Sequence, residues 1–158
     1  MAPWQAVFQV VPHRVMASSP RVLDAQKVAS TEWWRAGGVT PANTLRATLD
    51  ALIGPASSAK NGIEQWGAAE GNSVELHSVN DALVRIVARV DVRKLDPRFG
   101  AALLGFVRSA QSVLVRSDGW VAEPTVGAFS AALRGDPAWA FANEPAARVA
   151  AELREDEE

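Results

Sequence analysis

The spacing of apolar and polar residues changes period several times along the chain, and each change marks an element. Residues 71–93, GNSVELHSVNDALVRIVARVDVR, read as a β-hairpin. In its second arm Val84, Ile86, Ala88, Val90 and Val92 alternate with Arg85, Val87, Arg89, Asp91 and Arg93. A period of two with one apolar side describes a half-buried strand of an antiparallel sheet. Register then chooses the turn. A two-residue turn at Asn80-Asp81 would put Leu76 on the side of Arg85. A three-residue loop, Asn80-Asp81-Ala82, pairs Leu76 with Ile86, Val74 with Ala88, His77 with Arg85 and Glu75 with Val87. That register joins the apolar residues, so the pattern favours it.

The same patterns predict the remaining elements. Residues 4–11 alternate as a strand, with Trp4, Ala6, Phe8 and Val10 on one face and Gln5, Val7, Gln9 and Val11 on the other. Pro12 ends that strand or places it near an edge. Ser18-Ser19-Pro20 is a turn signal, and residues 22–29 read as a short helix. Thr40-Pro41 offers an N-cap and a first-turn proline for a helix carrying Leu45, Leu49, Leu52 and Ile53, stopped by Gly54-Pro55. Residues 56–62 read as a polar loop, and residues 63–67 and 74–79 as strands. Asp96-Pro97 repeats the helix start, and Phe99, Leu103, Phe106, Val107 and Ala110 form its apolar stripe. A strand at 113–116, a turn at Asp118-Gly119 and a return at 120–122 follow. A helix at 125–133 directs Val126, Phe129 and Leu133 inward. Short helices through Trp139 and over 145–153 complete the fold. The expected architecture is α+β: a single-layer antiparallel sheet of about four to six strands with helices packed on one face. Residues 1–154 read as one domain and the acidic stretch 155–158 as a disordered tail.

Composition narrows the class. A chain of 158 residues with 48% hydrophobic and 22% charged positions is long enough to bury a core. Its formal net charge of −2 argues against a generic nucleic-acid binder. The absence of cysteine excludes disulfides, thiolate metal sites and cysteine catalysis, and fits a reducing compartment. The N-terminal stretch lacks the basic and long apolar regions of a signal peptide. No run approaches the roughly 18–20 apolar residues of a membrane span. These points lead to an expectation of a cytoplasmic protein with no membrane partner.

Candidate chemistry is sparse. Arg85, Arg89 and Arg93 share one strand face with Asp91. Lys94, Arg98, Arg108 and Arg116 extend the basic run. Such a strip suits a phosphate, a carboxylate or an acidic protein partner; the plain alternative is a solvated face with arginines paired to Asp91 and Glu75. Glu75 and His77 lie two apart on a strand, a spacing open to metal or proton chemistry, yet His13 is the only other histidine. Neither a nucleophile elbow nor a phosphate-binding glycine loop occurs, so no catalytic residue, cofactor or metal is expected. Six tryptophans accompany no tyrosine. Trp33-Trp34 lies in a stretch without periodicity. Read as extended chain, it turns one indole outward, a candidate interface anchor; the plain alternative is that both cover the core edge.

The stretches WWRAGGVTPANTLRATLDALIG, WGAAEGNSVELH, RIVARVDVR and FVRSAQSVLVRSDGWVAEPTVGAFSAALRGDPAWAF together resemble a group of small bacterial proteins of similar length. Several such α+β proteins look like immunity proteins of bacterial toxin systems, which bind and block a cognate toxin. The resemblance covers about residues 4–142 and implies a protein-binding role; it carries over no catalytic residue. The expected protein is thus a non-enzymatic module that binds a protein through Arg85, Arg89, Asp91, Arg93, Trp33 and Trp34. A small anionic ligand and an enzyme of unknown chemistry are the alternatives. A homodimer is the ordinary outcome of an exposed tryptophan or unpaired sheet edge.

Overall fold

The computed structural model describes residues 2–16, 22–143 and 153. The expected turn at Ser18-Ser19-Pro20, nearly all of the expected last helix and the acidic tail lie outside the described residues.

Seven strands form one antiparallel sheet. In chain order they are β1 (Gln5–Pro12), β2 (Ser58–Lys60), β3 (Ile63–Gly67), β4 (Ser73–Val79), β5 (Ala82–Asp91), β6 (Ser112–Arg116) and β7 (Val121–Ala122). The helices are α1 (His13–Met16), α2 (Ala25–Ser30), α3 (Trp33–Gly37), α4 (Ala42–Leu52), α5 (Pro97–Ser109), α6 (Val126–Arg134) and α7 (Pro137–Asn143). Across the sheet the order is β2-β3-β4-β5-β1-β6-β7. The α+β class therefore stands, with seven strands where four to six were expected. The additional one, β2, is fully exposed and too short to show alternation. It pairs with β3 through an Asn61-Gly62 turn whose residues both have positive φ, the pairing chemistry of a two-residue hairpin.

β1 explains the layering. Ala6, Phe8 and Val10 point to one side, where Phe8 meets the ring of Phe129 on α6 at 5.9 Å. On the same side lie Trp66, Leu76, Ile86, Ala88 and Leu114, all buried. Helix α4 joins this layer through the Trp66 indole, which donates to the Asp50 carboxylate at 2.9 Å. Helix α5 adds Phe99, Leu103, Phe106 and Val107, the predicted stripe, and starts where Asp96 accepts from the backbone N–H groups of Arg98 and Phe99.

The opposite side of β1 and β6 also carries buried apolar residues. Val11, Val113 and Val115 are at most 1% exposed. A bare valine face of that extent must be covered, and α1–α3 cover it. Trp34 donates its indole N–H to the Val10 carbonyl at 2.7 Å, and Gln9 donates to the Val28 carbonyl at 2.6 Å. Helices on one face alone are thus not what the structure shows: α6 packs on the Phe8 side and α2 on the Gln9 side, because both sides bury apolar residues. Pro12 closes β1, yet the strand is central. Its ladder with β5 stops at Gln9, so the missing proline N–H interrupts nothing there.

The predicted hairpin register is present pair for pair: Leu76 with Ile86, Val74 with Ala88, His77 with Arg85, Glu75 with Val87. Its origin differs from the expectation. Asn80 and Asp81 alone form the turn, both at positive φ, and Ser78 pairs with Leu83. A bulge then leaves Val84 unpaired and restores the register at His77. Other differences are local. Pro41 takes the N-cap position expected for Thr40, and its carbonyl accepts from Leu45. Leu52 and Val126, expected inward, are exposed at the ends of their helices. Because Asp81 holds an αL conformation that glycine adopts freely, Asp81→Gly should raise stability by about 0.5–1 kcal/mol, seen in urea as a higher midpoint with unchanged slope.

Candidate functional site

The helices on the second side stop partway across the sheet. Among the described residues, α1–α3 lie against β1, β5 and β6, with α3 packed on β5. Beyond α3 the sheet continues as a less covered floor made by β3, β4 and the outer side of β5. The alternation that buries Leu76, Ile86 and Ala88 puts Ile63, Gln65, Glu75, His77, Arg85 and Arg89 on this floor. The result is a ledge, with α3 as the wall and the strands as the base.

Charges on the floor are organised in pairs. Glu75 is buried and forms an ion pair with Arg89, while its second oxygen lies 3.3 Å from His77 Nε2. Asp91 pairs with Arg93 at 2.8 Å, and the Arg93 guanidinium lies 4.1 Å from the centre of the Trp4 ring. Hydrogen bonding from Arg93 holds the Asp91 carboxyl below its usual range. Burial pulls Arg89 below the usual arginine range. Burial, and then the neighbouring Arg85 charge, lower His77. A hollow of about 560 Å³ opens at the near end of the floor, lined by Trp4, Gln5, Gln65, Glu70, Glu75 and Arg89. Gln5 shapes it by donating to the Ala69 and Gly71 carbonyls at 3.1 and 2.7 Å.

Of the predicted partner-binding residues, Arg85, Arg89, Asp91 and Arg93 are brought together on this side. Trp33 and Trp34 are not part of the exposed surface. They lie on a helical turn, not on extended chain, and are only 6% and 5% exposed. Their indoles donate to the Val28 and Val10 carbonyls. They act as cover for β1 and so build the wall of the ledge. The longer basic strip is also divided. Arg116 pairs across from Phe8 and faces the other layer, where it donates to Asp118 and to the Ala132 carbonyl on α6. Arg108 donates to the Pro124 carbonyl.

Sequence reasoning missed Trp4, Gln5 and Gln65. Alternation assigned Trp4 to the core side, but β1 starts only at Gln5, and Trp4 lies in the preceding turn beneath Arg93. Among the described residues, no three His, Asp or Glu side chains converge as a metal site, and no helix is long and apolar enough to cross a membrane. A second concavity of about 330 Å³ lies between α5 and α6, floored by Val90, Leu104, Phe129 and Leu133. No family model matches the chain, and neither the curated proteins nor the solved structures contain a significant match.

Two measurements test this electrostatic arrangement. Glu75→Ala should cost about 3 kcal/mol, because it strands the half-buried Arg89, whereas Glu75→Leu with Arg89→Met should recover most of that loss; denaturant titration of the single and double variants decides it. His77 titrates lower in the folded chain than in the unfolded one. Its contribution to stability is therefore complete above the ordinary histidine pKa of about 6.5 and is lost as pH falls below it. The stability of His77→Gln should accordingly fall less between pH 7 and 5 than that of the parent.

Proposed function

We propose that the protein is a non-enzymatic, cytoplasmic binding module that engages another protein across the β3–β5 floor, masking that partner in the manner of an immunity-type protein. The observation that carries this reading is the half-covered sheet. One half of the second face is sealed by α1–α3, while the adjoining half keeps a broad, polar, ordered surface. Its charges are fixed in ion pairs, an arrangement suited to orientation and selectivity at an interface. With Trp33 and Trp34 committed to the core, Trp4 and Ile63, both half-buried, are the apolar residues offered to a partner.

The distribution of the arginines favours a protein over a small anion. Of Arg85, Arg89 and Arg93, only Arg89 lines the hollow, and Glu75 stands beside it. A small anion entering there would meet a carboxylate. Pairing between sheet edges is also poorly supported. The outermost strands, β2 and β7, offer three and two residues, and short edges disfavour strand addition.

The test is capture from the native host with the full chain. Ile63→Lys and Arg93→Glu alter the floor; Val126→Lys alters an exposed site elsewhere. A stoichiometric protein partner should be retained by the parent and by Val126→Lys, and weakened at least about tenfold by each floor variant. Recovery of the protein alone, or a partner indifferent to both floor changes, would end this reading.

A further inference from the structure

Arg85 is the floor arginine left without a counter-ion. Glu75 holds Arg89 and Asp91 holds Arg93. Among the described residues, Arg85 makes no ion pair, and its Nε is buried without a hydrogen-bond acceptor. Buried donors are nearly always satisfied, and a charged one left unsatisfied is among the costliest. Its position makes the orphan informative. Arg85 stands in one row with Ile63 and His77, on the strand against which α3 packs. It therefore lies at the foot of the wall, where the covered half of the sheet meets the open half.

We infer that Arg85 receives a single carboxylate side chain, from an Asp or Glu of the protein that docks on this floor. The source of the group rests on the binding-module reading; the chemistry of the site rests on the arginine. One uncommitted guanidinium supplies one positive charge, the complement of a carboxylate. A phosphate group near neutral pH carries about −1.5 to −2 charge and would have to sit near the Glu75 carboxylate, with Arg89 and Arg93 already engaged. His77 adds no competing charge at neutral pH, since burial and Arg85 both disfavour its protonation. A carboxylate can accept from Nε and one Nη together, which satisfies the orphaned donor as well as the charge. Arg85 is half-buried with Nε covered, so engaging the carboxylate through Nε requires the side chain to turn toward the ledge.

The test uses the full chain, isotope-labelled, with acetyl-Glu-Glu-Glu-amide and inorganic phosphate as probes. The Arg85 Nε–H and the His77 ring resonances are followed by NMR. The peptide should shift both saturably. It should bind at least about tenfold more weakly to Arg85→Gln and at an intermediate level to Arg85→Lys, which keeps the charge but loses the fork. Superposable amide spectra away from the floor establish that both variants are folded. Absence of the shifts, equal affinity in Arg85→Gln, or a response to phosphate with none to the peptide would overturn the inference. The captured partner supplies the separating measurement. A partner that binds the parent and Arg85→Gln equally sinks the role of Arg85 and leaves the module standing. Failure to capture any partner removes the module and, with it, the proposed origin of the carboxylate.

Discussion

The constraint on which the rest of the structure depends is that β1 and β6 bury apolar side chains on both sides of the sheet. A sheet with one wet face needs only one layer of helices, and the alternating strand β5 alone would have been content with that. Phe8 and Val10 demand α6 and its neighbours; Val11, Val113 and Val115 demand a second cover. Burying a valine-sized side chain is worth about 1.5–3 kcal/mol, enough in sum to hold short helices that would not persist alone. The cover formed by helices α1, α2 and α3 is therefore held by what it covers. Its two tryptophans are buried there, and their indole N–H groups find carbonyls at the site of burial, as buried indoles generally must.

The candidate site follows from where that cover ends. β5 is the boundary strand: its partner on one side, β1, is sealed, while its partner on the other, β4, is polar. Val87 and Arg85 on β5 belong to the two regimes in turn. Each floor carboxylate has an arginine within reach, Glu75 with Arg89 and Asp91 with Arg93. A floor of this kind is rigid for the reason a core is rigid, since its side chains stand on paired strands whose register is held from beneath by Val74, Leu76, Ile86 and Ala88.

Much of this was legible in the amino-acid sequence, for reasons that separate local from tertiary causes. The pairing of Leu76 with Ile86 is dictated by burial of one face, so it could be read even though the compensating bulge at Val84 could not. Asp96-Pro97 states a helix start in its own side chains. By contrast, β2 carries no alternation, although the Asn61-Gly62 pair beside it is a hairpin signal that could have revealed it. Trp33 and Trp34 could not be placed because their partners, Val10 and Val28, are distant or belong to a segment with no period of its own. Arg116 looks like a surface residue until α6 presents the Ala132 carbonyl to it. Of the site, Arg85, Arg89 and Asp91 on β5 and Arg93 just after it were legible as one face; the hollow beside them, made by Trp4, Gln5 and Gln65, depends on the turn before β1 and the loop after β3.

The place of β1 in the sheet has a consequence for how the chain is made. It precedes the other described strands in the chain, yet its neighbours are β5 and β6, with Gln5 opposite Asp91 and Phe8 opposite Arg116. β5 is made only with residues 82–91 and β6 with residues 112–116, so the strand's hydrogen-bond partners come late, whereas α1–α3, the cover of its second side, follow it directly. Contacts so distant along the chain close late and slow folding, and unpaired apolar strands are the segments through which nascent chains associate. An interior strand of the finished sheet is thus one that waits for both of its neighbours.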